Sequence, residues 1–138
     1  MIITPLVGYS SYLALIVRVF LGISLVIHGL PKVKGGWRQS GQWLKGMGIP
    51  AINAVFVTII EFFGGLSLVV GFIVPVVAAF VVLQFLAIII MKTLKMKAAY
   101  VSLGGSKPTY EVDALYLVLA LVLVVLGAGA LSIDSMLL

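Results

Sequence analysis

Cysteine is absent from this 138-residue chain, and histidine occurs once. The chain therefore has no disulfide, thiolate nucleophile, iron–sulfur cluster or cysteine-ligated zinc. One histidine cannot build a bis-histidine haem or a multi-histidine metal centre, so haem is disfavoured and no metal site is expected. Charge is also scarce, at 9% of residues, with four acidic side chains against nine Lys and Arg. A soluble domain carries about 25% charged residues. So little charge cannot cover a water-facing surface, and four carboxylates cannot line a large polar cleft. Apolar residues are what the chain has, at 63%, with a mean hydropathy of +1.32. These values describe an all-α, polytopic membrane protein forming one domain over residues 1–138.

Four transmembrane helices account for the apolar runs. The first is expected at about Ser11–Leu30, closed by Pro31 and a basic stretch. The run from Pro50 to Met91 would make about 60 Å of helix, twice the roughly 30 Å hydrocarbon layer. Gly71 and Pro75 divide it into spans at about Pro50–Phe72 and Val74–Thr93, since proline suits a helix start. The fourth span is expected at about Val112–Leu131. No cleavable signal peptide is expected: no Lys or Arg precedes the first span, and no small-x-small site follows it.

The nine basic residues are distributed unevenly. Lys32, Lys34, Arg38 and Lys45 lie between spans one and two, and Lys92, Lys95, Lys97 and Lys107 lie at or after the end of span three, leaving only Arg18 elsewhere. In a four-span protein these two loops share a face. The positive-inside rule places them in the cytoplasm and both termini outside, in a four-helix bundle of the cytoplasmic membrane. The basic balance thus reads as topology and not as nucleic-acid binding. In loop one, Trp37, Trp43, Leu44 and Met47 alternate with basic residues, a pattern suited to the headgroup region or to a lid. Loop three, Lys95–Tyr110, reads as an irregular loop around Gly104–Gly105.

Ionisable residues inside hydrocarbon cost about 2.5–3.5 kcal/mol on insertion scales and face the bundle interior. Arg18 and Glu61 are the two such residues, at depths that differ by about 6 Å if both spans start level. An Arg18–Glu61 ion pair is expected, with Gln84 of span three completing a hydrogen-bonded cluster. Arg18, Gly22, Val26 and Gly29 share one helical face, as do Thr58, Glu61, Gly65 and Leu68. Their glycines allow close helix approach. Such a cluster either fixes helix register as a structural pair or binds a polar group: a quinone head group, another small polar molecule or a transferred proton. His28, Lys32, Glu111 and Asp113 form a second candidate group at the cytoplasmic mouth. The plain alternatives are a helix C-terminal cation for His28 and first-turn dipole partners for the two carboxylates.

Several of these residues fall in a pattern that resembles the DoxX/DoxD-like family of prokaryotic four-helix membrane proteins. They are Arg18 with Phe20-Leu21-Gly22, His28-Gly29-Leu30-Pro31-Lys32, Gly48-Ile49-Pro50, Glu61 leading to Gly64-Gly65-Leu66, Gly71, and Glu111. The closing run from Gly127 to Asp134 reads Gly-x-Gly-x-x-Ser-x-Asp. The resemblance implies a four-helix bundle near the quinone pool, acting as a quinone-binding subunit or accessory of a respiratory or redox complex. In that case a bound quinone is the cofactor, and the partners are the bilayer and a larger complex or a second copy. The chain lacks the added length of the DoxD-type subunit and has no cysteine for sulfur transfer. Two rival functions are a non-catalytic assembly factor or scaffold with a structural Arg–Glu pair, and a transporter or proton-conducting bundle. The orientation has a direct test: a cysteine introduced at Ser10 should react with an impermeant maleimide from outside, and one at Ser102 should not.

Overall fold

The computed structural model describes residues 9–105 and 107–137, and its architecture there is helical. Helix α1 spans Ser10–Pro31, α2 Trp37–Gly46, α3 Asn53–Val70, α4 Val74–Lys95, α5 Glu111–Leu126 and α6 Ile133–Leu137. The continuous stretch Ser10–Gly46, α3 and α4 are each long and apolar enough to cross a membrane. With 16 residues, α5 is about 24 Å long, somewhat short of the hydrocarbon layer. The chain is an integral multi-pass membrane protein.

Two expected boundaries differ from the structure. The first helix does not stop before Pro31. Proline offers no N–H to the carbonyl of Ile27, and the ladder re-forms with wider π-type bonding over Lys32–Gly36, where the Trp37 N–H reaches Lys32 O. Gly35, at φ 119°, then turns the chain into α2. Loop one is therefore a short amphipathic helix that buries Gly41 and Leu44 and leaves Trp37 and Trp43 exposed. The last long helix ends at Leu126 and not near Leu131, because Gly127 leaves helical geometry at φ 72°, ψ −161°. The base of loop three is tied by hydrogen bonds from Ala99 N to Pro108 O and from Tyr110 N to Ala99 O.

The bundle consists of two helix pairs. α1 packs chiefly on α3, and α4 chiefly on α5. Glycine sets the first contact. A Cβ built on Gly22 would lie 2.6 Å from Gly65 O, one on Gly65 2.7 Å from Gly22 O, and one on Gly29 2.7 Å from Phe62 N. The backbones of α1 and α3 thus meet without intervening side chains, as the glycine faces predict. The shared core is apolar, with Leu21, Leu25 and Leu68 from the first pair and Val74, Val81, Phe85 and Leu123 from the second. Gly65→Val should therefore cost at least about 1–3 kcal/mol, read as a lower unfolding midpoint in detergent. Gly104→Ala, where a Cβ meets nothing within 4 Å, is the control and should leave the midpoint unchanged.

Candidate functional site

The buried polar residues Arg18, Glu61 and Gln84 are 1%, 4% and 7% exposed, as expected for groups that face the bundle interior. They do not form one cluster. Arg18 Nη1 donates to the carbonyls of Leu68 (3.2 Å) and Val69 (2.9 Å), and Nη2 donates to Leu131 O. The first two are end-of-helix carbonyls of α3, which lack intrahelical donors and carry the negative end of the dipole. The guanidinium therefore caps α3 and ties the C-terminal segment to it. Gly71 is needed beside it, since a Cβ there would lie 2.6 Å from Arg18 Nη1 and φ is +79°.

The expected Arg18–Glu61 pair is thus replaced by other partners, and helix register is the reason. Val69 lies against Gly22, and Glu61 and Phe62 lie against Gly29. From Arg18 to the level of Glu61 is then about eleven residues of helix, or roughly 16 Å. The estimate of level starts fails because α1 begins well beyond the Gly71 turn, where the C-terminal segment packs on it: Gly129 meets Ser11, and Ala130 N donates to Ser11 Oγ. Asp134 completes this end. Its carboxylate accepts from Ile73 N (2.6 Å) and Val74 N (2.9 Å), capping α4.

Glu61 belongs to the opposite end. It lies in a π-helical turn of α3, Ile60–Gly64, a distortion frequent at functional sites. Its Oε2 accepts from Lys32 Nζ at 2.5 Å and its Oε1 from Gln84 Nε2 at 3.1 Å. Gln84 Oε1 is buried and has no hydrogen-bond partner among the described residues. Lys32 lies one residue past Pro31, so the helix that continues through the proline is what carries its ammonium to the carboxylate.

A cavity of about 330 Å³ opens beside this pair, lined by residues of α1 to α5. Two carboxylate–lysine pairs stand on it, Lys32–Glu61 and Lys92–Asp113, the second also at 2.5 Å. Lys92 Nζ donates to Thr109 O as well, anchoring loop three. His28 Nε2 and Tyr116 Oη share a hydrogen bond of 3.1 Å, and Tyr116 packs edge-on against Phe85. Trp43 of α2 contributes to the wall. Of the expected mouth group, His28, Lys32 and Asp113 line the cavity, and Glu61 joins them. Glu111 is not among the lining residues and keeps only its place in the first turn of α5.

Sequence reasoning missed Lys92 and Tyr116 as cavity residues and placed Trp43 only in the headgroup-or-lid pattern of loop one. Lys92 and Asp113 carried a signal, being a cation in the last turn of one helix and an anion in the first turn of the next. Tyr116 carried one too, at three residues past Asp113 on the same face.

The DoxX family model matches residues 13–93, from near the start of the first span to near the end of the third. The chain belongs to the DoxX family. It is also 30% identical over 120 residues to the protein named "Putative oxidoreductase CatD" of Bacillus subtilis (strain 168), covering 87% of this chain and 83% of that relative. No solved structure matches it. The matched DoxX region holds Arg18, His28, Lys32, Glu61, Gln84 and Lys92 and ends before Asp113 and Tyr116.

A double-mutant cycle checks the division into two ends. Arg18→Met and Glu61→Gln should each destabilise the protein, and their effects should add to within about 0.5 kcal/mol. Lys32→Met and Glu61→Gln should instead couple by roughly 1 kcal/mol or more. A strong Arg18–Glu61 coupling would restore the direct pair.

Proposed function

We propose that this DoxX protein binds a quinone head group in the Lys32–Glu61 cavity, as a subunit or accessory of a redox complex in the cytoplasmic membrane. The observation that carries the reading is the pairing of Glu61 with Lys32 and Gln84 at the wall of a cavity between apolar helices. Its size lies at the lower end of the roughly 300–1,000 Å³ typical of small-molecule sites. The kinship with a relative named as an oxidoreductase supports redox involvement. A bound quinone would supply carriage of two electrons and two protons.

The residues present suit that group. Lys32 Nζ carries three protons and uses one on Glu61. The others can be donated to a quinone carbonyl oxygen. The His28–Tyr116 pair offers a second donor across the cavity, on whichever atom the imidazole tautomer leaves it. Glu61 holds the Lys32 ammonium in place and is the nearest base for a proton from a quinol hydroxyl. Arg18, expected from the sequence as a head-group ligand, has its role at the other end of the bundle.

Orientation enters the same proposal. With loops one and three in the cytoplasm and both termini outside, the cavity lies toward the cytoplasmic side, between α2 and the base of loop three. Protons would then exchange with the cytoplasm, and a partner would bring the electron-transferring centre.

Extraction of protein purified in mild detergent should yield quinone near one per chain. Lys32→Met and Glu61→Gln should lower that yield about tenfold, as expected when a buried charge-assisted contact worth about 1.5–3 kcal/mol is lost. Arg18→Lys should retain the quinone. An empty wild-type protein that also fails to bind added quinone would overturn the reading and favour a scaffold.

A further inference from the structure

The two helix pairs leave a seam. Because α3 packs chiefly on α1 and α4 on α5, the α3–α4 face is only loosely filled despite the short turn that joins these helices. Two further cavities, of about 400 and 620 Å³, run along it. The first shares Leu44, Val57, Ile88 and Met91 with the wall of the Lys32–Glu61 cavity. The second shares Phe56, Ile60 and Phe80 with the first and continues to Phe72 and Ile73 at the α3–α4 turn. The polar cavity and the two along the seam thus adjoin one another through common walls.

Polarity changes along this row of cavities. Gln84 stands near the junction, hydrogen-bonded to Glu61. Beyond it the walls are Phe56, Ile60, Phe63, Val77 and Phe80. The single hydroxyl there, on Ser67, is already donated to Phe72 O at 2.5 Å. Nothing in the outer seam is left to hold a polar ligand, while the inner cavity carries two ion pairs. A polar chamber adjoining a long apolar groove matches a molecule with one polar end and one long apolar chain.

We infer that the α3–α4 seam holds the apolar chain of the ligand whose head lies beside Glu61, and that the ligand enters sideways from the bilayer between these two helices. The inference rests on the quinone reading above and adds where the chain lies and how the molecule arrives. Lipid tails are as apolar as the seam, so burial alone favours neither place. The preference comes from fit along the groove and from the tether to the head group.

The test uses the full chain in nanodiscs with two probes, a decyl-substituted benzoquinone and its methyl counterpart. Gly64→Leu places a side chain in the seam, where even a Cβ would come 3.3 Å from Val77 Cγ1. It should weaken the decyl probe about tenfold, in line with the cost of overpacking, and leave the methyl probe unchanged. On the unaltered protein, a decyl probe ending in a diazirine should label α3 and α4 peptides around Phe63 and Phe80. Equal binding of both probes by Gly64→Leu, or label confined to α1 or α5, would overturn the seam while leaving the head-group site. Equal seam labelling by a photoreactive phospholipid would overturn it in favour of a lipid groove. Failure of both probes to bind the unaltered protein would overturn the quinone reading itself.

Discussion

A carboxylate inside hydrocarbon must be neutralised and hydrogen-bonded, and Glu61 shows how much of the fold serves that requirement. Its cost is met by Lys32 on one oxygen and Gln84 on the other. Lys32 can reach only because α1 and α3 touch at Gly29, where a Cβ would collide with the backbone of Phe62. It lies on the right side only because the helix persists past Pro31 in a wider π-type turn. Glu61 itself sits in a second π turn, which shifts the face of α3 partway along its length. Gly29, Pro31 and both π turns thus act on one contact.

The other end of the bundle solves a different problem. The α3–α4 turn, from Gly71 to Ile73, leaves carbonyls of one helix and amides of the next without intrahelical partners. Arg18 supplies donors to the first set and Asp134 acceptors to the second. The two side chains come from α1 and from the C-terminal segment, so the turn is clamped from both ends of the chain. The Arg18 guanidinium also holds Leu131 O. Arg18 is thereby committed to architecture, which leaves the Lys32–Glu61 and Lys92–Asp113 pairs as the charges that face the cavity.

Much of this was legible in the sequence, and the failures share one cause. Apolar run lengths and the Gly71–Pro75 break located the membrane helices, since both depend on local chain properties and on bilayer thickness. Glycine spacing identified the α1–α3 contact for the same reason. The Arg18–Glu61 pair was not recoverable, because its depth estimate assumed that α1 and α3 begin level at their shared end. Register between helices is set by contacts such as Gly22 with Gly65, and sequence spacing within one helix does not contain it. Accounting for orphan helix-end groups at the short turn would have assigned Arg18 and Asp134 better. The residues from Gly127 to Leu131 were read as the end of a span, although two glycines at positive φ, Gly127 and Gly129, break the helix.

The charge balance of the cavity bears on what it can select. Two ammonium groups and two carboxylates stand on its wall, each cation matched to one anion at 2.5 Å. An anionic ligand would have to compete with Glu61 or Asp113 for its lysine, leaving a carboxylate unpaired at low dielectric, and a cation would face the reverse penalty. A neutral molecule with hydrogen-bonding oxygens takes the spare ammonium protons and breaks no pair. That preference for a neutral, oxygen-bearing head, combined with an apolar exit along α3 and α4, is what joins the cavity to the quinone pool on the reading proposed here. The ion pairs then serve specificity more than stability, because replacing them with apolar residues would keep the bundle packed while removing the donors that distinguish a quinone from the surrounding lipid.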